Sequence, residues 1–183
     1  MSNDGEEKKI KEKISIFIDG SNLYHSLKKI GTIKINFQKL IDKLVNGRQL
    51  ISVFYYNTPL DITKNPKRYW KQQKFFDELR KLSLFKVVLC KLRKYKKINK
   101  TFAYEVKGDD VHLTVDLISG AYENTYDTAV IVSGDEDFVP ALKKVQGLGK
   151  KIENAYFIAS ASSALKHSSN SSICINYIIK EII

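Results

Sequence analysis

The sequence predicts an α/β fold, an open and mostly parallel sheet covered by helices on both faces. Three observations predict it. Short runs rich in β-branched residues alternate with stretches of helical spacing. Those runs are nearly continuous in apolar residues, as strands buried on both faces of a parallel sheet are. And 43% hydrophobic residues, with only nine Gly and three Pro among 183, suffice for a sizeable core. The same composition excludes a disordered chain, a collagen-like rod and a disulfide-stapled miniprotein.

Residues 1–12 read as a polar, disordered tail, and residues 13–183 as a single domain. Residues 14–18 (ISIFI) form the first core strand, which ends at Asp19-Gly20-Ser21-Asn22, a turn with helix-capping types, and a helix follows over 23–29. Apolar residues at 37, 40, 41, 44 and 45 predict a second helix, and 50–56 (LISVFYY) a second strand. Pro66 opens a helix to 82, with Tyr69, Phe76 and Leu79 on one stripe. Residues 84–92 (LFKVVLCKL) read as a third strand, 93–100 as a basic loop, and 101–106 (TFAYEV) as a short alternating strand. Lys107-Gly108-Asp109-Asp110 then starts a helix to 123. Residues 128–132 (TAVIV) are a fourth core strand, ending in Ser133-Gly134-Asp135-Glu136-Asp137. A helix over 138–148, a fifth strand over 151–158 and a helix over 161–167 follow. The apolar tail, 171–183, reads as a last strand, a last helix, or a surface pairing with a second subunit in a homodimer.

No apolar run reaches the roughly 18 to 20 residues of a membrane helix, and the N-terminus lacks the apolar stretch of a secretory signal, so a cytoplasmic protein with no membrane partner is expected. Cys90 and Cys174 lack CxxC spacing and read as a reduced pair, with one optional disulfide as the minor alternative. His25, His112 and His167 form no zinc-binding pattern and read as structural. Net charge is +11, and it is concentrated. Between residues 64 and 100 stand fourteen Lys and Arg against Asp77 and Glu78, so this segment carries +12 and the rest of the chain about −1. A basic segment on a neutral body points to nucleic acid. Lys67, Arg68, Lys71, Lys74, Arg93, Lys94, Lys96 and Lys97 are the expected backbone contacts. Most of the interleaved aromatic residues read as core, with Trp70 or Tyr95 left to stack on unpaired bases.

In open α/β sheets ligands bind beyond the carboxyl ends of the strands, where strand order reverses. Here those ends carry aspartates: Asp19, then Asp135 and Asp137, with Asp109 and Asp110 opening a helix. Taken singly, each group is also a good turn, cap or acidic first helical turn. Together they predict an acidic pocket. Crowded carboxylates repel unless a cation lies among them, and oxygen-only ligands select Mg²⁺ or Mn²⁺, ions suited to phosphodiester hydrolysis. Asp110 shares its spacing with Leu113, Leu117 and Ala121, and so belongs to the sheet-facing side of its helix; Asp109 and Asp116 are second choices. Asn22 reads as a cap or a ligand-positioning residue, and Ser133 as the small residue a tight strand exit needs.

Ile18-Asp19-Gly20-Ser21-Asn22-Leu23, Lys107-Gly108-Asp109-Asp110-Val111 and Val132-Ser133-Gly134-Asp135-Glu136-Asp137-Phe138 resemble, in order, the three motifs of the NYN domain, in the LabA-like branch of the PIN-like nuclease superfamily. The resemblance implies a PIN-like (Rossmann-like) three-layer sandwich and metal-dependent ribonuclease chemistry. It implies a metal-binding and catalytic cluster of Asp19, Asp110, Asp135 and Asp137, assisted by Asn22. The substrate would be RNA, single-stranded or structured. The first rival is a non-catalytic RNA-binding module that keeps the fold and basic surface. The second, a phosphatase of the haloacid dehalogenase type, needs an acid two positions after the first strand-end Asp, where this chain has Ser21.

Overall fold

The computed structural model describes residues 11–96 and 102–183. In chain order it contains β1 (Lys13–Asp19), α1 (Gly20–Lys29), α2 (Phe37–Val45), β2 (Gln49–Asn57), α3 (Pro66–Arg80), β3 (Phe85–Leu89), β4 (Lys91–Lys96) and β5 (Phe102–Lys107). There follow α4 (Asp109–Tyr122), β6 (Thr128–Val132), α5 (Val139–Gly147), β7 (Lys151–Tyr156), α6 (Ser163–His167), β8 (Ser171–Cys174) and α7 (Ile175–Ile182). Short 3-10 turns occupy Glu136–Phe138 and Ile158–Ser160. Six strands form one all-parallel sheet in the order β3-β2-β1-β6-β7-β8, and β4 and β5 form a separate antiparallel pair.

The pleat sorts each core strand into two faces. Ile14, Ile16 and Ile18 of β1, with Val130 and Val132 of β6, pack with Leu23 and Leu27 of α1, Leu40, Ile41 and Leu44 of α2, Phe76 and Leu79 of α3 and Ile175 and Ile182 of α7. Phe17, Ala129 and Ile131 face the opposite way, onto Leu113 and Leu117 of α4, Leu142 and Val145 of α5 and Leu165 of α6. The result is the three-layer α/β/α sandwich. Side-chain caps set several helix starts: Asn36 accepts from the Lys39 amide at 3.1 Å and Asn65 from the Arg68 amide at 3.0 Å.

Two expectations are corrected. The run 84–92 is not one strand: Leu84 sits at φ 61 outside the sheet, β3 starts at Phe85, and the chain leaves the sheet at buried Cys90. The basic stretch expected as a loop instead enters β4, whose register pairs Lys91 with Lys107 and Lys96 with Phe102. Residues 97–101 lie outside the described residues, as do residues 1–10, where most of the disordered tail is expected. The ambiguous C-terminal segment is both alternatives in succession, β8 then α7, and the α7 carbonyl of Ile182 accepts from the Asn36 amide. Cys90 and Cys174 are free thiols. Among the described residues no helix is long and apolar enough to cross a membrane.

Candidate active site

Strand order reverses between β1 and β6, and the candidate site is built at their carboxyl ends. Asp19 closes β1 and caps α1, its Oδ1 accepting from the Asn22 amide at 2.9 Å. Its Oδ2 accepts from the Ser133 hydroxyl at 3.1 Å, and that hydroxyl accepts in turn from the Asp135 amide at 3.1 Å. Ser133, expected only as a small residue at a strand exit, is thus the hydrogen-bonded link between the two acids. The Asn22 side-chain oxygen accepts from the Gly134 amide at 3.1 Å and from the Ser160 hydroxyl at 3.3 Å. Ser26 and Ser160 hydroxyls lie 2.7 Å apart. These contacts stitch the first turns of α1 to the loop after β6. A Cβ at Gly134 would stand 1.8 Å from the Ser160 carbonyl oxygen, so only glycine permits this close approach.

The third element is α4. Gly108 takes a left-handed φ of 95 and turns the chain so that Asp109 and Asp110 form the first helical turn. There the helix dipole favours their charge. Leu113, Leu117 and Ala121 are buried as their spacing predicts. Asp110, one turn earlier, lies past the edge of that packing and is exposed toward a cleft. The cleft has a volume of about 310 Å³ and is lined by Asp19, Asp109, Asp110 and Asp135, with Ser21, Asn22, His25, Ser26, Lys29 and Ser160 on the side of α1 and the Ile158–Ser160 turn.

The acids feel one another. Burial raises the pKa of Asp19; its bonds to Asn22 and Ser133 oppose the rise, and the charges of Asp109 and Asp135 add to it. Asp110 is pushed up to about 6, first by burial and then by Asp109, Asp19, Asp135 and Asp137. Among the described residues none of these five carboxylates has an ion-pair partner, and the Lys29 ammonium donates to the Ala159 carbonyl at 3.0 Å. A set of neighbouring carboxylate oxygens without ion-pair partners fits a hard divalent cation. The side chains as placed do not form a ready cage: among the described residues no three His, Cys, Asp or Glu groups stand together as a metal-holding cluster.

The other expected residues are placed as follows. Asp137 is exposed and does not line the cleft; its amide donates to Asp135 Oδ1 at 3.0 Å and its charge reaches Asp110. Asp116 stands two turns further along α4, away from the cleft, and accepts the Tyr56 hydroxyl at 2.9 Å. Its seven-residue spacing from Asp109 keeps it on the same side of the helix but carries it along the axis. Lys67, Arg68, Lys71 and Lys74 are exposed on α3, Arg93, Lys94 and Lys96 are on β4, and Lys97 lies outside the described residues. The missed cleft residues are Ser21, Ser26, Lys29, Ser160 and His25, the last read from sequence as structural. Asn22, His25, Ser26 and Lys29 follow the i, i+3, i+4, i+7 rule, so the face defined by Asn22 was available as the signal.

Fold and site together define an α/β sandwich with a carboxylate-lined cleft at the switch point of its sheet. The NYN domain model matches residues 13–176, and the chain belongs to the NYN domain family. NYN domains fall within the PIN-like nuclease superfamily, whose members generally use divalent metals. The chain is similar in fold to the crystal structure of a protein of unknown function from Vibrio parahaemolyticus, at 25% identity and a TM-score of 0.71 over 96% of each chain. No curated protein matches it.

Proposed function

We propose that this chain is a Mg²⁺- or Mn²⁺-dependent ribonuclease of the LabA-like branch. The observation that carries the reading is the convergence of Asp19, Asp109, Asp110 and Asp135, from three separate strand–helix junctions, on one cleft where none of them has an ion-pair partner among the described residues. Asp19, Asp110 and Asp135 would hold the ion, with Asp109 beside them. A divalent ion bound there supplies an activated water and offsets the charge of an in-line phosphoryl displacement. Asp137, outside the cleft lining but close enough for its charge to reach Asp110, would orient the attacking water or complete the metal shell.

The opposite wall is chemically different. With its oxygen committed to Gly134 and Ser160, Asn22 has its amide NH₂ to offer a phosphate oxygen. His25 and Lys29 lie on the same face of α1 and can donate to a phosphodiester that enters between the two walls. In this sheet every helix or hairpin that follows a parallel strand begins at the carboxyl edge. The start of α3 and the basic β4–β5 hairpin therefore emerge on the same edge as the cleft, where their charge can track the RNA backbone.

The test is incubation of purified protein with RNA in Mn²⁺ and in EDTA, alongside Asp19→Asn. The expected result is Mn²⁺-dependent cleavage that falls at least about a hundredfold in the variant, the scale of losing a group that acts on the transition state. Equal cleavage by both proteins refutes the reading. The open, uncaged arrangement of the acids favours one alternative, a non-catalytic RNA-binding module. Salt-dependent binding with no cleavage in either buffer would decide for it.

A further inference from the structure

The first half of α3 carries a surface that packing does not explain. Lys67, Trp70, Lys71 and Lys74 stand at i, i+3, i+4 and i+7, on one face of the helix, and all four are exposed, Trp70 to 62%. Fold stability argues against this arrangement. Cations near a helix start oppose the dipole, like charges four apart repel, and a large exposed aromatic side chain gains nothing from burial. The helix has no acid in its first turn. Its acids come at the far end, where Asp77 and Glu78 pair with Arg80 and Lys81 at 2.8 Å, and the three lysines beside Trp70 have no ion-pair partner among the described residues. Tyr69 braces the indole nearly perpendicularly, ring centroids 5.2 Å apart at 81°, so it stands against a support.

The helix that carries this surface is tied to the strand end beside the cleft through contacting residues. The start of α1 abuts the end of β2: a Cβ at Gly20 would lie 2.7 Å from Asn57 Nδ2. Thr58, next along the chain, accepts from Gln72 Nε2 at 3.2 Å, and the Leu60 amide donates to Gln72 Oε1 at 2.7 Å. Gln72, two residues from Trp70, projects from the other side of α3, so these contacts seat the first half of the helix beside the end of β2 and leave the indole turned outward.

We infer that this face of α3 is a stacking platform for an unpaired RNA base, Trp70 taking the base and Lys67, Lys71 and Lys74 the flanking phosphates, so that the cleft is fed single strand. The inference rests on the ribonuclease reading for the identity of the ligand. An apolar protein partner does not suit an aromatic ring set among three unpaired cations, whereas base–aromatic stacking beside phosphate contacts does. A paired base has no free face to offer.

Trp70 is the protein's single tryptophan, so its emission reports this site alone. Wild-type protein in EDTA is titrated with unlabelled oligouridine or duplex RNA, and binding is followed in parallel by the anisotropy of labelled copies. Quenched emission on saturation with oligouridine but not with duplex is expected. Trp70→Ala weakens oligouridine binding roughly tenfold and Trp70→Phe restores most of it. Unchanged emission under saturating oligouridine, equal affinity of Trp70→Ala, or no binding at all overturns the inference. Because no metal is present, these outcomes are separate from failure of the cleavage reading, which shows only as absent turnover in Mn²⁺.

Discussion

Removing one of the cleft's charges should make the metal-free protein more stable. Asp110 has a folded-state pKa of about 6 against an ordinary 3.8. Folding therefore takes up a proton between those values, and stability present below about pH 4 is lost as pH rises through 6. The full shift corresponds to about 3 kcal/mol. Asp110 is exposed, however, and solvent screening with the favourable pull of the α4 dipole reduces the net to about 1 kcal/mol. For a chain of this length that is a rise in melting temperature of about 2–4 °C. Asp110→Asn is accordingly expected to melt about 2–4 °C above wild type at pH 8, low salt and EDTA, and level with it below pH 4. Adding Mn²⁺ should raise the wild type more than the variant, because an ion that binds the folded state stabilises it in proportion to its affinity. Differential scanning fluorimetry across pH, with and without Mn²⁺, makes the comparison. A variant that melts at or below wild type at pH 8 in EDTA would refute the claim that burial and the neighbouring acids hold the Asp110 carboxyl above its ordinary range in the folded state.

Two further outcomes follow from the hydrogen-bonded frame of the cleft. Ser133→Ala leaves Asp19 Oδ2 without its donor and the Asp135 amide without its acceptor, at a cost of about 1–3 kcal/mol. A melting temperature lower by several degrees and cleavage lower about tenfold, with RNA binding retained, are the readouts; retained cleavage would remove Ser133 from the frame. Gly134→Ala must push the Ser160 backbone away and is expected to cost about 1–3 kcal/mol in thermal unfolding, while Gly147→Ala, which has nothing within 4 Å of its new methyl group, costs almost nothing. Equal melting of the two variants would contradict the close approach.

The order of core strands and helices could be read from sequence because each core strand is apolar on both faces and each helix apolar on one, and both patterns are local. The Phe37–Val45 helix was legible to the residue for that reason. The break at Cys90 was not, because an extended chain that leaves one sheet for a second pairing stays extended and changes only its partner. In the site, the acids could be listed because strand ends fall where apolar runs stop. Which of them share a cleft depends on tertiary placement: Asp109 and Asp110 both reach it, and Asp116 does not. His25 and Lys29 were overlooked because a polar helix face reads as solvent-facing until something is packed opposite it. Ser133 was undervalued for a related reason, since its hydroxyl acts on a carboxylate 114 positions away.

The switch-point layout also sets when the cleft can exist. Its acids are drawn from the beginning, middle and last third of the chain, and its far wall needs Ser160 to meet Ser26. A polypeptide emerging from a ribosome therefore has no such groove until most of its length is outside, and a fragment cut before β6 holds Asp19 without Asp135.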